Sequence, residues 1–164
     1  MTRERIQTYW GPVDCVWDKR GILALGTPDH SLPAPRSEIS EFGYLLEKEL
    51  AAYLSGALTH LTLPFVIPDH PQFFSKVWHA VTTIPYGELR SYSQIAEMIG
   101  KPRAQRAVGL ALAHNPIAIY IPCHRVIGKD GDLGHHRDKI SQEMLELKRR
   151  LLILEGSIIS PIKD

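Results

Sequence analysis

The chain has 164 residues, 44% of them hydrophobic and 23% charged, with a formal net charge of +1. That is a globular composition with enough apolar material for one ordinary domain or two small ones. It holds no apolar run near the roughly 18 residues that cross a bilayer and no N-terminal stretch of signal-peptide type, so a cytoplasmic location with no membrane association is expected.

The first elements read as strands. IQTYWGPVDCVWD carries a Gly-Pro turn signal between β-prone runs, and RGILALGTPD continues as a strand ending at Gly26-Thr27-Pro28. After a polar loop, Glu41 to Leu54 is predicted as an amphipathic helix, with Phe42, Leu45, Leu46, Leu50 and Leu54 on the apolar side. LTLPFVIPDHP is an extended, proline-rich connector, and the domain boundary is placed there, giving domains at 1–67 and 72–164. Residues 72–83 form a second apolar-faced helix. Ser91, with Gln94 three residues on, is predicted to cap a third in SYSQIAEMIG. RAQRAVGLALAH follows as a fourth helix, and the β-branched run IAIYIPC as a short buried strand. Residues 124–139 read as a polar loop and Ser141 to Leu154 as a final helix, with Met144, Leu145, Leu147, Leu151 and Leu154 apolar.

Charge divides unevenly along this plan. Residues 1–70 hold six Lys/Arg against nine Asp/Glu, and residues 71–164 thirteen against nine. A polyanion would meet the second half, although a solvated charged face explains the asymmetry about as well. Residues 92–99 and 103–114, joined by a short Gly-containing turn, have the form of a helix-turn-helix. The second of these helices offers Ala104, Ala107, Gly109 and Ala111 rather than base-reading side chains, which permits close groove approach without sequence readout.

Chemistry concentrates at Pro122-Cys123-His124-Arg125-Val126. A thiol is nucleophilic as its thiolate, and a neighbouring base or positive charge favours that form; His124 and Arg125 stand beside Cys123 in sequence. Cys15, in a strand with no partner, reads as packing. Two cysteines and eight histidines without zinc-ligand spacing predict no metal, and no cofactor is expected.

From about Phe73 to Gly156 the chain resembles the O6-alkylguanine-DNA alkyltransferases, above all through RAVG, then NP, then PCHRV at their present spacings. Residues 1–67 resemble the family's variable N-terminal domain more loosely. The resemblance implies an α/β fold: a small ribonuclease-H-like N-terminal domain, then a mostly helical, winged helix-turn-helix-like domain. It implies DNA repair by direct reversal, in which an alkyl group moves irreversibly from O6-alkylguanine to Cys123 in a single turnover. His124 would deprotonate the thiol through a water and Glu155 would orient His124. Tyr92 would press on the target phosphate and protonate the departing guanine. Arg106 would fill the stack after base flipping, and Asn115 would tie the recognition helix to the active-site turn. DNA contacts are expected from Arg106, Tyr92, Ser91, Ala107 and Gly109, with double-stranded DNA as partner and a monomer without an obligate protein partner.

The segment 134–143 departs from the family's glycine- and tyrosine-bearing loop, carrying His135, His136, Arg137 and Lys139, and Ala118 stands where many members have proline. Three other readings compete: a non-catalytic lesion binder, a redox-sensing helix-turn-helix regulator, and a cysteine protease. Cys123 itself counts against the first. The second lacks base-reading side chains, and nothing in the sequence supplies a cleft for the third.

Overall fold

A computed structural model describes residues 1–35, 38–133 and 139–157. The chain divides into two compact units, residues 1–68 with 116–120, and residues 69–115 with 121–164. The architecture is mixed α/β, with small sheets and five α-helices among the described residues.

In the first unit, β1 (Thr2–Thr8), β2 (Gly11–Asp18) and β3 (Gly21–Leu25) form an antiparallel meander in that order. Their inward residues Ile6, Val13, Cys15, Ile22 and Leu25 are buried, as are Leu46, Leu50, Tyr53 and Leu54 of α1 (Glu41–Leu54). The predicted bounds of α1 hold, but Leu45 is exposed; Gly43 and Tyr53 belong to the buried side instead. Glu4 explains how α1 starts. Its carboxylate accepts from Ser40 N, Ser40 Oγ and Trp17 Nε1 at 2.7, 2.7 and 2.9 Å, while Ser40 Oγ accepts from Gly43 N at 3.0 Å. One acidic side chain on β1 thus orients the helix cap.

The free edge of β3 is covered by two short backbone passes, which removes an exposed pairing edge. Ile22 N donates to Pro64 O at 2.8 Å and Val66 N to Ile22 O at 2.9 Å. Leu25 N donates to Pro116 O and Ala118 N to Leu25 O, both at 2.9 Å. Gly21 has a φ of +126°, and a Cβ there would lie 2.2 Å from Pro64 O, so only glycine admits the first pass.

The second pass corrects the strand expected at IAIYIPC. Ile117, Ile119, Tyr120 and Ile121 are buried as predicted, yet pairing is limited to one bridge, Leu25 to Ile117. Ile119 then turns to φ +71° and Tyr120 N reaches back to Ala118 O at 2.8 Å. A β-branched residue in the left-handed region ends any strand. Pro116 and Pro122 at the ends of the run supply no N–H to a ladder. Tyr120, through its hydroxyl, donates to Glu49, and its ring meets Phe65 edge-on at 5.6 Å, which holds residues 116–120 with the first unit rather than with the residues around them.

The second unit packs α2 (Gln72–Thr82), α3 (Tyr92–Met98) and α4 (Gln105–Ala113) together, with Val77, Trp78, Val81, Ile95, Val108 and Ala111 buried. Trp78 Nε1 donates to Ala111 O at 2.9 Å. The predicted cap of α3 is a full capping box: Gln94 N donates to Ser91 Oγ at 3.1 Å and Ser91 N to Gln94 Oε1 at 2.8 Å. Ser91→Ala is therefore expected to lower stability by about 1 kcal/mol, read as a shift in denaturant midpoint with unchanged slope. An unaltered midpoint would remove the box from the forces that start α3.

Two elements differ from the predicted loop at 124–139. Residues 123–125 form one 3-10 turn, and β5 (Val126–Ile127) pairs in parallel with β4 (Arg90–Ser91), Arg90 facing Val126 and Ser91 facing Ile127. Helix α5 runs Lys139–Leu154, so the end of the predicted 134–143 loop is helical, while residues 134–138 lie outside the described residues. Met144 is exposed on α5 and Leu151 and Leu152 are its buried anchors. No described helix is long and apolar enough to cross a membrane.

Candidate active site

The two-residue β4–β5 pair builds the site. Because it is parallel, it sets Ser91 and Tyr92 at the start of α3 beside the residues that follow the Cys123 turn. Residues 31 apart in sequence therefore share one locality: the phenol of Tyr92 is held up from its ordinary range by burial first, then by Asp132 and Cys123. A Tyr92 that stays protonated at neutral pH can donate a proton.

Cys123 opens the 3-10 turn and is partly exposed. Asn115, at the end of α4, donates from Nδ2 to Ile121 O at 2.8 Å and hydrogen-bonds to the Cys123 thiol. Desolvation pushes the thiol up to about 12, while Lys148 and Asn115 pull the other way. The resting form is the thiol. Cys15, fully buried, is likewise pushed up to about 11 by burial.

The residues that follow Cys123 enter a buried polar cluster. His124 Nε2 lies 2.7 Å from Glu155 Oε1. Arg125 forks onto the same carboxylate, Nε to Oε2 at 2.8 Å and Nη2 to Oε1 at 2.9 Å, and its Nη1 donates to Ile84 O at 2.6 Å. All three residues are less than a tenth exposed. Burial lowers His124 from its ordinary value against the pull of Glu155, so the imidazole is neutral at pH 7. A neutral ring beside a carboxylate carries its proton on Nε2, which leaves Nδ1 as the basic atom.

Two residues here were not legible as they stand. Arg125 lies two residues from Cys123 in sequence, but its charge is directed at Glu155. The cation near the thiol is Lys148, whose Nζ donates to Val126 O at 2.5 Å and lies 5.8 Å from the centre of the Tyr92 ring. Desolvation lowers Lys148 to about 8 against the pull of Cys123 and Asp132. Lys148 lies on α5 and Glu155 directly follows its last residue, Leu154, so one helix brings both to this region.

The remaining predicted residues lie on the helix pair. Arg106 is exposed on α4, Ala107 and Gly109 are half-buried there, and Ser91 caps α3. A Cβ on Gly109 would meet Tyr92 Cε1 at 3.9 Å, an ordinary contact, so nothing inside the fold requires that glycine. Among the described residues no group of three or more potential metal ligands gathers.

Cys123 is a partly exposed residue whose thiol meets Asn115, Lys148 and Tyr92 and which precedes the buried His124–Glu155 pair in sequence, a set of groups suited to the chemistry of a cysteine nucleophile. Comparison with known proteins specifies the kind. Residues 72–157 match the family model of the 6-O-methylguanine DNA methyltransferase DNA-binding domain. The chain is 42% identical over 159 residues to a methylated-DNA–protein-cysteine methyltransferase of Methanosarcina barkeri, covering 94% of this chain and 97% of that one. It is 50% identical over 105 residues to the protein of the same name from Mycolicibacterium paratuberculosis, 63% of each chain. Its fold is similar to that of Mycobacterium tuberculosis O6-methylguanine methyltransferase, with a TM-score of 0.76 at 35% identity over 99% of this chain and 97% of that one. A crystal structure of the M. tuberculosis OGT in complex with DNA matches at 0.75 and 36%, covering 94% and 92%. The chain belongs to the 6-O-methylguanine DNA methyltransferase family.

Proposed function

We propose that this protein is a single-turnover methylated-DNA–protein-cysteine S-methyltransferase that reverses O6-alkylguanine damage in double-stranded DNA, acting as a cytoplasmic monomer. The observation that carries the reading is the partly exposed residue Cys123, its thiol held by Asn115, next in sequence to the buried His124–Glu155 pair, in a chain of this family. In this reading the first unit is a ribonuclease-H-like domain, and the second is a winged helix-turn-helix whose α4 enters the groove.

The reaction follows from the groups present. The target guanine leaves the stack, because its alkyl carbon cannot line up with a recessed sulfur otherwise, at a cost of a few kcal/mol. His124 Nδ1 takes the proton of Cys123 through a bridging water, Lys148 balances the thiolate charge, and sulfur attacks the alkyl carbon. The S–C bond forms as the C–O6 bond breaks, and the electron pair passes into the guanine ring. Tyr92 protonates the departing base, and the proton held by His124 restores the phenol. The thioether that results is not reversed at neutral pH, so each chain acts once. Asn115 ties the end of α4 to the turn that carries Cys123. Ser91, Ala107 and Gly109 lie along the DNA, and Arg106 enters the stack.

Mass spectrometry after incubation with an O6-methylguanine duplex tests the whole reading. We expect one methyl group gained, on Cys123. No gain, or a gain elsewhere, would reject it. Arg106→Ala should slow repair of duplex DNA roughly ten- to a hundredfold, part of the extrusion cost, while reaction with free O6-benzylguanine stays near its original rate. Equal losses on both substrates would give Arg106 another role.

A further inference from the structure

We propose that Arg125 is a positioning residue for alkyl transfer: by taking up the charge of Glu155 it keeps His124 neutral, with the ring proton on Nε2 and the basic lone pair on Nδ1. The inference rests on the transfer reading above only for its rate measurement.

Glu155 accepts the guanidinium fork through Nε and Nη2, and Arg125 is fixed further by Ile84 O and by lying 5.7 Å from the centre of the Tyr86 ring. A fork of this kind fixes both the plane and the charge of a carboxylate. Glu155 Oε1 is shared between Arg125 and His124, so the orientation of the imidazole is inherited from Arg125. The charge balance points the same way. Arg125 and Glu155 together are neutral, so protonating His124 would add a net positive charge to a buried cluster that already has Lys148 nearby. Among the neighbouring groups, Lys148 of α5 also disfavours a proton on His124, Asp132 acts on Lys148, the Tyr86 phenol faces Glu155 and Arg125, Arg90 of β4 pairs with Glu88 at 2.9 Å, and Lys76 and His79 of α2 are exposed. Burial lowers His124 in keeping with this balance. Without Arg125, an unneutralised Glu155 would draw a second proton onto the imidazole, and Nδ1 would be blocked.

The test is a 15N-histidine NMR titration of His124, with the rate of methyl transfer against pH measured in parallel, on the wild type, Arg125→Met and Arg125→Lys. We expect a neutral Nε2–H tautomer at pH 7.5 in the wild type. In R125M the His124 midpoint should rise by about one pH unit or more, and the acid limb of the rate profile should move up with it. R125K keeps the charge, and its midpoint should stay close to that of the wild type. A wild-type His124 already protonated at pH 7.5 overturns the proposal, and so does an unmoved midpoint in folded R125M. If R125M fails to fold, the wild-type protonation state and the R125K midpoint decide. A wild type that shows the expected titration but transfers no methyl group would reject the transfer reading and leave only the control of His124 protonation by Arg125 standing.

Discussion

Replacing Cys123 with alanine should abolish alkyl transfer outright and leave DNA affinity within a small factor of the wild type. No second thiol can substitute. Cys15 is fully buried between β1 and β3, and its thiol is pushed up to about 11. The substitution also removes little packing, since only one sulfur atom is lost from a partly exposed residue. Phosphate and groove contacts position a protein on DNA, and in the proposed mode they come from α3 and α4, whose capping box and packing on α2 do not involve the thiol. Mass spectrometry reads the transfer and fluorescence anisotropy the binding. Methyl groups appearing on another residue, or lost binding in a folded variant, would contradict this division of labour.

Glu155→Gln should give the second largest effect, through two separable losses. The amide cannot hold His124 in one tautomer, because it offers a donor as readily as an acceptor. General-base assistance is typically worth 10²–10⁴ in rate, so transfer should slow by at least about a hundredfold. The amide also leaves the buried Arg125 without its counter-charge, which costs on the order of 3–5 kcal/mol. The double variant Glu155→Gln/Arg125→Met separates the two. It should recover much of the stability, because no unpaired charge remains, yet transfer as poorly as the single variant. Recovery of rate along with stability would show that Glu155 acts only by holding the fold. Single-turnover methyl transfer and urea denaturation are the measurements.

What the sequence made legible was what local chemistry decides. The bounds of α1 follow from the helical spacing of its apolar residues and from Gly56 as a stop, and the capping box of α3 is written in Ser91 and Gln94. Where tertiary partners decide, the reading ran out. IAIYIPC has the composition of a buried strand and is buried, but periodicity cannot reveal that Ile119 turns left-handed after a single bridge to Leu25. The β4–β5 pair is two residues long, too short for any alternation, and yet it brings Tyr92 to Cys123. PCHRV marks the chemistry without saying that Arg125 turns away from the thiol toward Glu155, or that the cation near the sulfur comes from two turns earlier on α5.

The protonated resting thiol bears on how long the protein survives between encounters. A catalyst that turns over can tolerate an occasional misfire; a reagent consumed in one event cannot. Stray electrophiles and oxidants in a cell react with thiolates far faster than with thiols. By keeping Cys123 desolvated and in its protonated form, the site leaves little thiolate for them to find. In the proposed reaction the proton leaves for His124 as sulfur meets an aligned alkyl carbon, so unused molecules keep their single dose of reactivity in storage.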